Sequence, residues 1–366
     1  MLLESIETSN FRNIYGKINL GAGLNLLIGD NGQGKTNWLE AISILATTRS
    51  FRTAKVQEAI RFDEEMAVID GFVRISGEIT RELRALIQER VKQFAVNGKR
   101  ESISNYLGQL HAVIFTAEEL GVVRGGPEHR RRFLDESIMA VHPPYSGTIA
   151  EYGRVIKQKN ALLQTARDEE YSIDKTGELL QPWNEQISSL STKIHRSRMR
   201  IVERLNDVLE KHLFSSEEVT IRYASTLEGK GDLSDYQSLI AERLQTRVQA
   251  ELVSGHSLIG PHRDDLEINF DGRDIRKFGS SGQQRSAFLL LLLANIAVYF
   301  ATRNEYPLFL IDDIDSELDH ERIGRLLDFL EGKTQTIVTT SKTNIAEDFA
   351  RGQNILNITK GMPKPL

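Results

Sequence analysis

Two short stretches of this chain carry residue types whose spacing points to phosphate chemistry. The first is "GDNGQGKT", Gly29 to Thr36, which matches the pattern G-x-x-x-x-G-K-[ST]. The glycines let backbone N–H groups turn inward around phosphates, and a following helix N-terminus adds partial positive charge. Gly29, Asp30, Asn31, Gly32, Gln33 and Gly34 are the expected cradle. Lys35 is expected to neutralise charge on the β- and γ-phosphates, and the Thr36 hydroxyl to ligate Mg²⁺. The second stretch is "LFLIDD", where four apolar residues run into Asp312 and Asp313. Asp312 is placed to hold the metal, directly or through water. Asp313 is then the group that polarises the attacking water, so that Lys35 and Asp313 carry the catalysis.

These residues need a strand–loop–helix and a neighbouring strand to hold them. "LNLLIG" reads as a strand buried on both faces, and "KTNWLEAISIL" puts Trp38, Ile42 and Leu45 on one helical face. Strands follow at "AVIDGFVRIS" and around "FAVNGKRES", where Asn97-Gly98 is a type I′ turn signal. From Pro127 the texture turns helical, beginning with "GPEHRRRFLDESI". A helix through Tyr152, Ile156 and Leu163 is followed by a polar loop, "DEEYSIDKTGELLQP", and a long helix from about Asn184 to Leu213. Ile187, Leu190, Ile194, Ile201, Leu205 and Val208 follow a heptad-like spacing. The pair forms either a short projecting arm or two helices lying flat on a core, and the pattern leaves both open. "VTIRYAS" and "DLEINFDGRDIRKF" return to strands, and "YPLFLIDDIDSELD" and "TQTIVTT" supply two more buried ones. The fold class is therefore α/β, one sheet closed by the two ends of the chain around a large insertion.

Composition sets outer limits. The 366 residues include no cysteine, which excludes disulfides and thiolate metal sites and fits a reducing cytosol. The formal charge of −5 confines any phosphate-binding surface to a local patch. The beginning of the chain, "MLLESIETSN", lacks the pattern of a signal peptide. The apolar run from Ala287 to Ala301 is about fifteen residues against the roughly twenty a bilayer needs, and Asn295 interrupts it. A buried helix, not a membrane span, is expected there.

"GDNGQGKTN", "SSGQQ", "LIDDIDSELD" and "TIVTT" occur in the order found in ATP-binding-cassette ATPases, and their wide separation resembles the SMC-like branch. "NFRN", "SFRT", "EHRRRFLD", "GPHRDDL" and "SSGQQR" resemble the motifs of the RecF family over essentially the whole length. The resemblance implies a two-lobed ATPase head with an inserted helical arm. Residues 1–116 and 283–366 would form the first lobe. Residues 117–282 would form the second, with the arm at about 127–214 and the signature motif at its C-terminal end. ATP and Mg²⁺ are the implied cofactors. Arg12 and Asn13 would approach the nucleotide, with Arg49 and Arg52 either further phosphate or interface contacts or solvated loop arginines. Ser280, Ser281, Gly282 and Gln283 correspond to the signature, which binds ATP held by a second subunit. Ser316 to Asp319 match the D-loop. Two departures stand out: Asp313 replaces the common Glu, and Thr340 or Ser341 replaces the switch histidine, which together imply slow turnover. Gln57 is a candidate Q-loop residue or a plain surface glutamine.

The same resemblance implies binding to duplex and gapped DNA, an ATP-dependent homodimer, and work with RecR and through it RecO and RecA, in the cytoplasm at the nucleoid and not at a membrane. The residues add two basic groups, Arg130, Arg131 and Arg132, and Arg196, Arg200 and Arg204 at i, i+4, i+8 spacing. These would contact phosphates or form a solvated helix face. No pattern for base-specific readout is visible. "GPHRDD" is read as a structural turn, with His262 and Arg263 at the interface, since no companion metal ligands accompany it. A transporter subunit, a long SMC-type structural protein and a nuclease are the weaker alternatives. The large insertion, the short arm and the missing metal-binding segment disfavour them in turn.

Overall fold

A computed structural model describes residues 1–76, 79–212, 216–349 and 353–364. The described residues fall into two compact units, one from 1–124, 211–217 and 279–366, the other from 125–210 and 218–278.

The first unit is built on two sheets. One is antiparallel, running Ile14–Asn19, Leu2–Phe11, Met66–Ser76, Ile79–Gln88, Lys92–Val96 and Lys99–Glu101 from edge to edge. Asn97 and Gly98 both have positive φ (49° and 75°), as a type I′ turn demands. The second sheet runs Met362–Lys364, Asn354–Thr359, Leu24–Ile28, Thr336–Thr340, Leu308–Ile311 and Ala112–Phe115. Its pairings are parallel except for the last hairpin of the chain. The helix Lys35–Thr47 lies against strands of both sheets and buries Trp38, Ile42 and Leu45, the face its spacing predicts. Parallel pairing puts the C-terminal ends of Leu24–Ile28, Leu308–Ile311 and Ala112–Phe115 along one rim, so the phosphate loop and Asp312 emerge together.

The second unit packs helices Pro127–Val141, Tyr145–Asp168, Ile173–Leu209, Tyr236–Thr246 and Val248–Ser254 with a three-stranded sheet of Val219–Ala224, Asp265–Phe270 and Arg273–Asp274. The predicted polar loop is short. The long helix starts at Ile173, where Ser172 caps it, and runs through Pro182 to Leu209. A proline removes one backbone donor, a loss this 37-residue helix carries when Ile187, Leu190, Ile194, Ile201 and Leu205 are buried beyond it. The predicted end at Leu213 lies outside the described residues. Neighbouring helices and the Val219–Ala224 strand cover the helix pair. The flat-lying alternative therefore describes it better than a projecting arm. Its scaffold includes Lys159 and Glu251, 2.6 Å apart and both fully buried, with Asn184 accepting from the same ammonium at 2.8 Å.

The division differs from the expected lobes at the signature. Residues from Gly279 onward belong with the phosphate-loop unit and not with the helical one. The physical reason lies in the helix Ser281–Arg303, whose Leu289, Leu291 and Ala294 are core of that unit. The signature is the capped beginning of this helix and goes where the helix goes.

Candidate nucleotide site

Gly29, Gly32 and Gly34 have φ of 158°, 79° and 100°. At Gly29 a Cβ would come within 2.4 Å of the Ile358 carbonyl, and Gly34 ends the loop in the left-handed region as the residue before the helix. Lys35 is buried, and its ammonium donates to the carbonyls of Gly29 (2.7 Å) and Asp30 (3.0 Å), which fix it across the mouth of the loop. Gly32, Asn31 and Asp30 are exposed.

The Thr36 hydroxyl donates to Asp312 Oδ1 at 2.9 Å, across 276 residues of sequence. Thr339 donates to the same oxygen at 2.7 Å and accepts from the backbone N–H of Asp313 at 2.8 Å. Asp313 itself is in the left-handed region (φ 49°), an expensive conformation for a non-glycine residue that is held here by the strand end behind it. Burial pushes the Asp312 carboxyl above its ordinary value; the Thr339 and Thr36 hydrogen bonds oppose this, and Glu118 and Asp313 add repulsion. A desolvated carboxylate beside a threonine hydroxyl, under carboxylate repulsion, is a donor set that suits a hard divalent cation. Thr36 and Asp312 are the residues that would hold Mg²⁺.

Thr340, expected at the switch position, points elsewhere. Its hydroxyl donates to Asp315 (2.5 Å), and the Lys342 ammonium lies 3.5 Å from the same carboxylate. Successive residues of a strand face opposite sides, so Thr339 and not Thr340 meets the aspartate pair. Thr339 carries no sequence signal of its own, because "TIVTT" offers two adjacent threonines and only the register decides between them.

Three features close the loop from outside. Asn13 donates to the Gly32 carbonyl at 3.3 Å and accepts from Asn37 at 2.6 Å. Arg12, expected at the nucleotide, has its Nε and one terminal nitrogen on Glu40 (3.0 and 2.9 Å) and the other on the Glu58 carbonyl. Glu40 is fully buried and also accepts from Ser50 at 2.6 Å, with Arg52 3.6 Å away. Arg52 donates to Asn37 at 2.6 Å. Arg12 and Arg52 thus reach the loop region through Glu40 and Asn37. The third feature had no sequence signal. In the final hairpin Gly361 donates to the Gln33 carbonyl (2.9 Å) and accepts from the Trp38 indole (3.2 Å), while the Lys360 N–H donates to the Gln33 side chain. A Cβ on Gly361 would lie 2.0 Å from the Asn13 carbonyl, so glycine is required. Gln57, the Q-loop candidate, sits in the short helix Val56–Ala59.

Ser280 and Gln283 form a reciprocal capping box at the start of Ser281–Arg303, leaving Ser281 and Gly282 exposed. Ser316 donates to the Asp313 carbonyl, and Asp319 caps the helix His320–Leu330 through the Arg322 N–H. Arg285 pairs with Glu317 at 2.8 Å, tying the signature helix to the D-loop segment.

The residue order and this geometry agree with what the chain is similar to. The family model described as RecF/RecN/SMC N terminal domain matches residues 2–363. The DNA replication and repair protein RecF of Geobacillus kaustophilus is 35% identical over 99% of this chain and 98% of its own length. The RecF of Shouchella clausii is 33% identical over all of both chains.

The chain belongs to the RecF family.

A solved structure of the recombination mediator protein RecF with ATP in the RecFOR pathway superposes with a TM-score of 0.88 at 29% identity, covering 100% of this chain and 99% of that one. An SMC head bound to the C-winged helix domain of ScpA shares the fold, with a TM-score of 0.54 at 16% identity.

The expected DNA contacts divide sharply within the second unit. Arg130 is 3% exposed and grips Asp265 with two nitrogens at 2.7 and 2.9 Å, so it is a structural ion pair and cannot present itself to a phosphate. Arg131 donates to the Asp264 carbonyl, and Arg132 is partly buried beside His129. Arg196 and Arg200 are exposed on the long helix, and Arg204 is partly buried. His262, expected at an interface, is inside the unit. The Ser257 backbone carbonyl can only accept from its Nε2, so Nδ1 accepts from the Tyr152 hydroxyl at 2.6 Å, and burial pushes the ring down to about 4.

Proposed function

We propose that the protein is an ATP-switched DNA-binding ATPase of recombinational repair and fork maintenance. It binds ATP through Gly29 to Thr36 and closes as a homodimer on duplex DNA at gaps and single-strand/double-strand junctions. Hydrolysis is slow and DNA-stimulated, and the closed form engages RecR-type partners, and through them RecO, to help load RecA. The cytoplasm, at the nucleoid, is its place of work. The observation that carries the reading is the Thr36–Asp312–Thr339–Asp313 chain, which joins the phosphate loop to the strand-end carboxylates.

Mg²⁺, when bound, neutralises charge developing on the phosphate oxygens. The chain's own residues do the rest. Loop amides and Lys35 orient the phosphates, and Thr339 fixes Asp312 and the backbone of Asp313 in one arrangement. Asp313, half-buried at the rim, takes a proton from the attacking water. Its short side chain and the absence of a histidine beside it fit turnover slow enough to act as a timer.

Ser280 to Gln283 serve ATP held by a second copy, so nucleotide is the glue of the dimer. The test is sizing with and without ATP, for the unaltered protein and for Ser281→Arg. ATP should dimerise the former and leave the latter monomeric; a Ser281→Arg dimer refutes the second-copy site. Turnover measured with and without duplex DNA checks the DNA reading, which a flat response overturns.

A further inference from the structure

Arg124 is used by none of the chemistry above. It ends the short helix Gly121–Arg124, anchored by buried Leu120, Val122 and Val123. Its side chain is exposed, yet it is not loose: one terminal nitrogen donates to the Ser281 hydroxyl at 3.0 Å and Nε donates to the Gln284 side-chain oxygen at 2.9 Å. Among the described residues no carboxylate pairs with it. We infer that Arg124 is a positioning residue of the signature serine, presenting the Ser281 hydroxyl as a hydrogen-bond donor to a phosphate on a second copy of the chain. The inference rests on the second-copy reading of the signature given above.

A serine hydroxyl has one hydrogen and two lone pairs, and its rotor ordinarily turns to suit the nearest partner. An arginine has donors only, so the contact with Arg124 occupies a lone pair and leaves the Ser281 hydrogen to be given away. The adjacent positive charge also makes that hydroxyl a stronger donor. A phosphate oxygen, which only accepts, is the chemistry such a group matches. The bond to Gln284 fixes the guanidinium plane, so the charge stays beside Ser281. A cation at a helix N-terminus is otherwise unfavourable, since the helix dipole already places positive charge there. Arg124 with no acid to offset it makes sense where an anion is the intended third party.

The experiment compares Arg124→Ala, Arg124→Lys and Ser281→Arg in the full-length protein, by Mg-ATP binding to the monomer at low protein concentration and by ATP-dependent dimerisation. Arg124→Ala should bind ATP as the unaltered monomer does and melt at the same temperature, while its dimerisation midpoint rises about tenfold or more. Arg124→Lys, which keeps the charge and loses the fork, should recover part of that loss. If Ser281→Arg fails to dimerise while Arg124→Ala dimerises normally, the role of Arg124 is refuted and the second-copy site stands. If Ser281→Arg dimerises normally, the second-copy site itself is refuted. Loss of monomer ATP binding or of thermal stability in Arg124→Ala would also overturn the assignment, because it would place Arg124 in the fold of its own unit.

Discussion

Arginines serve opposite ends in the two units of this protein. In the first unit, Arg12, Arg52 and Arg124 stay partly or largely exposed, and each donates to a polar side chain: Glu40, Asn37 and Ser281. In the helical unit, Arg130 and Arg198 are sunk into the interior, each clamped by two nitrogens onto an aspartate, Asp265 and Asp135. The contrast also appears within one helix, where Arg198 is buried while Arg196 and Arg200, two residues to either side, face solvent. A 3.6-residue period puts such neighbours on different faces. Charge and residue type are the same; burial and the partner decide whether an arginine is scaffold or tool.

The sharpest way to break this contrast is Arg198→Ala. It strands the Asp135 carboxylate in a buried setting, and the expected loss is roughly 3–5 kcal/mol of stability, read from denaturant unfolding. If unfolding is unchanged, the helical arginines are not scaffold.

Asp312→Asn acts on the other unit and in the opposite sense. Hydrolysis should fall by about 100-fold or more with the metal ligand gone, yet stability without nucleotide should hold or rise slightly, because a desolvated charge is removed. The carboxyl is raised in the folded protein, so the stability it contributes is complete below its unfolded value and is lost as pH rises through its folded value. The variant should lack that decline. A marked drop in stability at neutral pH would show that the Asp312 charge supports the fold.

A smaller effect is expected of Glu40→Gln, which leaves Arg12, Arg52 and Ser50 with a neutral partner. Nucleotide affinity should weaken by about tenfold through misplacement of the loop's flank. Unaltered titration calorimetry would mean that the flank is decorative. Least of all, Arg196→Ala and Arg200→Ala should leave melting within about 0.5 kcal/mol and each reduce the salt dependence of duplex binding by roughly one counterion. Equal salt slopes would remove both residues from the DNA path.

The parts of the site that follow from contiguous residues were legible in the sequence. The glycine loop, the strand before it and Trp38's helical face each rest on local rules that tertiary packing does not override. What could not be read depends on register or on distant partners. Thr339 differs from Thr340 only in which side of the strand it faces. Gly361 and Arg124 make their contacts 323 and 157 residues away, with Trp38 and with Ser281, and nothing near them in the chain marks those partners. Arg130 misled for a related reason, since a run of three arginines looks exposed until its Asp265 partner is in place.

In the proposed dimer, the phosphate loop of one copy is completed by the signature of another. Mixing Lys35→Ala with Ser281→Arg tests it most directly, each variant being inactive alone. In a mixed pair, the intact loop of the Ser281→Arg chain meets the intact signature of the Lys35→Ala chain, so ATP turnover should rise well above the sum of the separate proteins. Turnover that stays at that sum would contradict a site shared between two copies.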